Sequence, residues 1–161
     1  MNNPGQFLKT IQHPFKFRIY LLLNLPSAFF SGVRVVYADE SQCRVKVPFK
    51  WFSKNPFNST YFACLSMAAE MSTGVLALVH IYKRSPAISM LVSNIEGRFL
   101  KKATGITIFT CTDGQLIKQT IEEAVKSGEG KTITANTYGK NEAGEMIAEF
   151  TVTWSFKVKS A

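Results

Sequence analysis

The chain predicts an α+β fold in which an antiparallel sheet of about six strands wraps around one long central helix. Three observations carry this. The hydrophobic period switches to two at Val33. Between Lys54 and Lys83 the only charged residue is Glu70, in a stretch dense in helix formers and small residues. The last strand then alternates cleanly, with Ala148, Phe150, Val152, Trp154, Phe156 and Val158 on one face and Glu149, Thr151, Thr153, Ser155 and Lys157 on the other.

Residues 4–25 read as one or two short helices broken near His13-Pro14, because Pro14 disfavours a helical His13 yet fits the first turn of the next helix. Leu25-Pro26 ends that region, so residues 1–31 form a helical extension to a domain over residues 32–161. Val33–Tyr37 and Cys43–Val47 read as a hairpin turning at Asp39-Glu40-Ser41, with basic residues on one face. Lys50 to Ser59 contains Asn55-Pro56 and is a loop. A helix follows from about Ser59 to Tyr82, roughly 36 Å long. Being apolar nearly all round it should be buried, and Ser66, Glu70, Ser72 and Thr73 in its middle argue against a membrane span. After Pro86, Ile88–Phe99 and Ile106–Thr112 read as strands joined by a turn at Ala103-Thr104-Gly105. Asp113 is placed to cap a helix over Gly114–Lys126, with Leu116, Ile117, Ile121 and Val125 on one face and Gly128 as its stop. Lys131–Tyr138 and Glu145–Val158 form a last hairpin, so that the four strands after the long helix read as a meander.

With 161 residues and 46% hydrophobic content, the composition excludes a disordered tail, a collagen-like rod and a disulfide scaffold. Cys43, Cys64 and Cys111 are odd in number and form no Cys-x-x-Cys, which points to reduced, buried thiols in a cytoplasmic protein. With only His13 and His80 besides, neither a metal nor a cofactor is expected. The net charge is +8, and residues 1–54 supply six of those charges, with eight Lys or Arg against Asp39 and Glu40. Such asymmetry suggests an anionic partner: nucleic acid, a membrane surface or a phosphorylated small molecule. No nucleic-acid motif accompanies it, so a nucleic-acid partner is not expected. The apolar run Ile19–Leu23 follows Lys9, Lys16 and Arg18, but Asn24 and Pro26 interrupt it and it is too short for a span or a signal peptide.

The order strand, strand, long apolar helix, four strands resembles the hotdog fold over residues 32–158. Local motifs agree. Asn55-Pro56-Phe57-Asn58-Ser59-Thr60-Tyr61-Phe62-Ala63 followed by Ala68-Ala69-Glu70 is similar to the Asn-x-x-Gly-Thr-x-x-Gly-Gly and Ala-Asp/Glu pattern of hotdog thioesterases. Asn94–Gly105 falls where the family has its strand and following turn. The helical extension and the helix at 114–127 resemble a thioesterase-like branch of unknown function. The resemblance implies an acyl-CoA or acyl-carrier-protein hydrolase, with coenzyme A entering only as part of the substrate. It also implies a homodimer, or a tetramer of paired dimers.

On that resemblance Glu70 aligns with the catalytic carboxylate and Asn55 with the residue that positions substrate or water. Phe62 and Ala63 align with the two glycines whose N–H groups hold the thioester oxygen, Phe62 being the bulkier, and Tyr61 replaces a frequent histidine. Unpaired donors at a helix start suit a developing oxyanion, and a buried carboxylate amid uncharged neighbours has its pKa raised toward that of a useful base. Plainer readings stand beside these: a satisfied helix carboxylate for Glu70, an Asx-turn for Asn55, a core aromatic for Tyr61. Ser66 and Thr73 lie within a turn of Glu70 and could orient it or bond back to the preceding carbonyls. Arg98, Lys101 and Lys102 are candidates for coenzyme A phosphates, as are Lys83 and Arg84, against a solvated rim. A non-catalytic acyl-CoA or fatty-acid binder is the alternative function, and attachment to a membrane surface through residues 7–30 is a third, weaker reading.

Overall fold

The structure is a computed structural model that describes residues 4–159. Three helices open the chain: α1 (Pro4–Gln12), α2 (Pro14–Asn24) and α3 (Pro26–Ser31). His13 caps α2, its Nδ1 accepting from the Lys16 N–H at 3.5 Å. Pro26, expected to end the helical region, instead starts α3, since a proline lacks only an N–H that a first helical residue leaves unused. The hairpin β1 (Arg34–Ala38) and β2 (Cys43–Val47) follows, and the loop after it holds a 3₁₀ turn, Trp51–Ser53.

Helix α4 runs Phe62–Ile81 and begins three residues later than expected, because Thr60 bridges Lys54 and its N–H donates to the Ala103 carbonyl. Then come β3 (Ile88–Phe99), β4 (Thr107–Cys111), α5 (Gly114–Ser127), β5 (Lys131–Asn141) and β6 (Met146–Val158). Asp113 precedes α5 as expected but makes no cap bond within it: its carboxylate accepts from the Asn136 N–H at 2.7 Å, tying α5 to β5. Gly128, with φ of 72°, ends α5 in the left-handed region.

All six strands lie in one antiparallel sheet ordered β1-β2-β4-β5-β6-β3. One expectation is corrected here: β3 and β4 are not neighbours. Residues 100–106 instead cross the sheet, pinned by the Leu100 and Lys101 N–H groups on the Ile147 carbonyl. The meander is β4-β5-β6, and β3 pairs with β6 from Ile88↔Val158 to Phe99↔Ala148 at the opposite edge from β1. This is the six-stranded, helix-wrapping architecture of the hotdog fold.

α4 packs against β1, β2, β4, β5 and β6, with α1, α3 and α5 around it. Among the described residues it is the one helix long and apolar enough to cross a bilayer, yet it lies inside the sheet with Leu65, Val75, Leu76 and Val79 buried. Two hydroxyls join it to the sheet. Ser72 bonds the Ala69 carbonyl and Thr137 on β5, both at 2.7 Å, and Thr73 accepts from the Trp154 indole N–H at 2.9 Å. Removing Ser72 strands the Thr137 hydroxyl in a dry site. Ser72→Ala is expected to cost about 1–3 kcal/mol in urea unfolding, and adding Thr137→Val should recover part of that loss; additive losses would contradict the pairing.

Candidate active site

Most of α4 is sealed; its first half keeps a partly open stripe of Phe62, Ala63, Ser66, Met67 and Glu70, and further on only Leu78 and Ile81 are partly open. The stripe's lower end is Glu70, whose carboxylate stands in a cavity of about 70 Å3 walled by Phe17, Tyr20, Leu21 and Leu25 from the N-terminal helices, Val75 on α4 and Met90 on β3. Among the described residues that carboxylate has no hydrogen-bond or ion-pair partner, and burial pushes its pKa up. Gly74, one turn on, makes room for it: a Cβ there would sit 3.2 Å from Glu70 Oε1 and 3.1 Å from the Trp154 ring. The spacing Glu70-x-x-x-Gly74 was visible in the sequence as an i,i+4 pair, but nothing local marked Phe17, Tyr20 or Met90 as walls.

At the upper end of the stripe, Tyr61 is the N-cap residue of α4 without a side-chain cap bond, and the N–H groups of Phe62 and Ala63 carry no hydrogen bond among the described residues. Phe62 borders a groove of about 570 Å3 lined also by Asn55, Phe57, Tyr61, Phe99 and Lys102, and Ala63 follows it on the helix. The rings of Tyr61 and Phe62 pack at 4.8 Å and those of Phe62 and Phe99 at 6.4 Å, so aromatic side chains narrow the groove.

Several of the expected site residues are engaged elsewhere in the structure. Asn55 closes its own loop: its Oδ1 accepts from the Phe57 and Ser59 N–H groups and its Nδ2 donates to the Ser59 hydroxyl, leaving the amide committed to an Asx-turn. Ser66 donates to the Phe62 carbonyl and Thr73 to the Glu70 carbonyl, so neither orients the Glu70 carboxylate. Arg98 pairs with Glu149 and Lys101 with Glu145, while Arg84 grips Glu122 with two bonds of 2.8 Å. Lys102 alone of the phosphate candidates lines the groove without an ion pair among the described residues.

The cysteines are free and buried, as expected. Cys43 and Cys111 face each other across β2 and β4, and burial pushes the Cys111 thiol up to about 12. His80 is buried, its Nε2 3.2 Å from the Glu40 carbonyl, and burial lowers its pKa, leaving a neutral imidazole. No cluster of three potential metal ligands occurs among the described residues.

Solved structures share this fold over nearly the whole chain. A Pseudomonas aeruginosa protein of unknown function, described as a probable thioesterase, is 22% identical with a TM-score of 0.76, over 91% of this chain and 97% of that one. A Chlorobaculum tepidum protein of unknown function is 14% identical with a TM-score of 0.79, over 98% of both chains. A Haemophilus influenzae thioesterase is 11% identical with a TM-score of 0.61, over 86% of this chain and 87% of that one. No protein-family model matches the sequence, and no curated protein matches it significantly. At these identities the likeness establishes the hotdog fold.

Because burial raises the Glu70 pKa, the folded chain holds a proton there that the unfolded chain releases from its ordinary value of 4.5 upward. Stability from this group is therefore complete below that value and is lost as pH rises toward the folded pKa. Glu70→Gln is expected to raise the unfolding temperature at neutral pH and to leave it nearly unchanged at pH 4; a constant difference across pH would contradict the burial of the charge.

Proposed function

We propose that the protein hydrolyses acyl thioesters, with Glu70 as general base. The observation that carries this reading is an unpartnered carboxylate, raised in pKa, on the half-open stripe of the central helix. Glu70 takes a proton from water as the water oxygen attacks the thioester carbonyl. The Phe62 and Ala63 N–H groups hold the resulting oxyanion, whose collapse breaks the C–S bond as the thiolate takes up the proton. The acyl carrier is coenzyme A or a carrier protein, and the buried free thiols fit the reducing cytoplasm.

One chain does not complete this site. Phe62 and Glu70 are eight residues apart, about 12 Å along a helix axis, too far for both to serve one carbonyl. A second copy supplies the missing half. The edge strand β3 offers the place: it is twelve residues long, pairs among the described residues with β6 alone, and exposes Leu91, Ile95 and Phe99, a combination that invites strand pairing. Joining two β3 edges brings the two half-open stripes toward each other. The second reading, a binder without turnover, is favoured by the Phe62 and Tyr61 rings that narrow the groove.

Wild type and Glu70→Gln should be assayed against short- to long-chain acyl-CoAs. Loss of a general base predicts a 10²- to 10⁴-fold fall in kcat, with kcat/KM of the wild type rising with pH through the Glu70 titration. Equal activity in both proteins removes Glu70 from the chemistry. Thermal stabilisation by acyl-CoA without turnover in either selects the binder.

A further inference from the structure

The N-terminal helices and the loop after β2 carry a second surface that the hydrolase reading does not use. On α2, Phe15, Ile19, Leu22 and Leu23 are exposed, Phe15 to 76%. At the helical period these four and Arg18 fill one arc of roughly 140°, opposite the buried Phe17 and Leu21. A shallow groove of about 370 Å3 lies between Phe15, Arg18, Ile19, Leu22 and Phe29. The apolar surface continues through ring contacts from Phe29 to Phe30 at 5.3 Å, Phe30 to Phe52 at 5.7 Å and Phe52 to Trp51 at 4.9 Å, and Trp51 is 73% exposed. Single exposed apolar residues are ordinary, but a contiguous patch of this extent marks an interaction site.

Cations border the patch, and among the described residues Arg18, Arg34 and Lys50 form no ion pair. The Arg18 guanidinium lies 4.0 Å from the Phe29 ring centre, and its Nη1 is buried without a hydrogen-bond partner among the described residues. The Lys50 ammonium packs against Gly32, two residues before Arg34. Arg34 stands directly opposite Lys46 in the β1–β2 register, a like-charge pairing that costs stability. Burial, and then the neighbouring cations, hold both Arg18 and Lys50 below their ordinary pKa values. Asp39 and Glu40, the only acids in the first 69 residues, close the far end of the hairpin. There Asp39 is held by Tyr37, Ser41 and Gln42, and Glu40 pairs with Lys118.

Cations crowded together beside an exposed hydrocarbon face complement an anionic headgroup joined to acyl chains. We propose that this face docks on an anionic phospholipid membrane, Arg18, Arg34 and Lys50 meeting lipid phosphates while Phe15, Ile19, Leu22 and Trp51 enter the acyl boundary. The proposal is independent of the thioesterase reading, since none of these residues belongs to that site.

The chain's two tryptophans make the test direct, because Trp154 is buried and any lipid-dependent change reports Trp51. The protein is mixed at low salt with vesicles of phosphatidylglycerol and phosphatidylcholine, or of phosphatidylcholine alone. It should sediment with the anionic vesicles only, shift its Trp51 emission to the blue, and come off as salt rises. Arg34→Gln/Lys50→Gln should weaken partitioning roughly 10- to 30-fold, and Phe15→Ser/Ile19→Ser should remove the emission shift, neither variant lowering the unfolding temperature. No binding to anionic vesicles at low salt overturns the proposal, as does equal binding by the variants. Displacement by millimolar phosphate or coenzyme A would show a site for a soluble anion instead. A Phe15→Ser/Ile19→Ser variant that changes oligomeric state rather than vesicle binding would show a contact between copies.

Discussion

A twenty-residue helix with apolar or small side chains on nearly every side has to be enclosed, and the rest of the fold is arranged to enclose α4. The sheet curls around it, α5 closes one flank and the N-terminal helices another. Enclosure then sets a demand on each polar group the helix carries. Ser72 and Thr73 meet it through Thr137 and Trp154, and His80 meets it at one nitrogen, Nε2 against the Glu40 carbonyl, while its Nδ1 is buried without a partner among the described residues. Glu70 does not, and a carboxylate left without a partner in an apolar cavity is where burial most strongly alters chemistry.

The same demand explains why the stripe from Phe62 to Glu70 is the open side. The start of a helix presents N–H groups that need acceptors, and here those of Phe62, beside the groove, and Ala63 carry no cap or other hydrogen bond among the described residues. The donors and the carboxylate lie at opposite ends of one stripe beside an unpaired strand edge, an arrangement that a second copy of the chain would complete.

Much of this was legible in the sequence. The period of two and the isolation of Glu70 located β2, β3 and α4 closely, and Gly128 marked the end of α5. What escaped was non-local. The place of β3 beside β6 depends on how residues 100–106 cross the sheet, and nothing in those residues announces it. Pro26 fits a helix start as well as a stop, and the packing of Phe29 and Phe30 decided for the start. Asn55 carried a family resemblance to a substrate-positioning residue, yet its hydrogen bonds are spent within five residues of its own loop. The apolar run of α2 beside basic residues was legible and suggested a membrane contact, but its continuation was hidden, because Trp51 and Phe52 join Phe30 only in three dimensions.

The account rests on the state of one carboxyl group. A carboxyl-carbon NMR titration of the intact protein, with Glu70→Gln identifying the signal, measures it directly. The account predicts a midpoint for Glu70 clearly above its ordinary value of 4.5, the shift coming from burial alone. A midpoint at or below that value would mean that the carboxylate is solvated or paired, and would contradict the central claim.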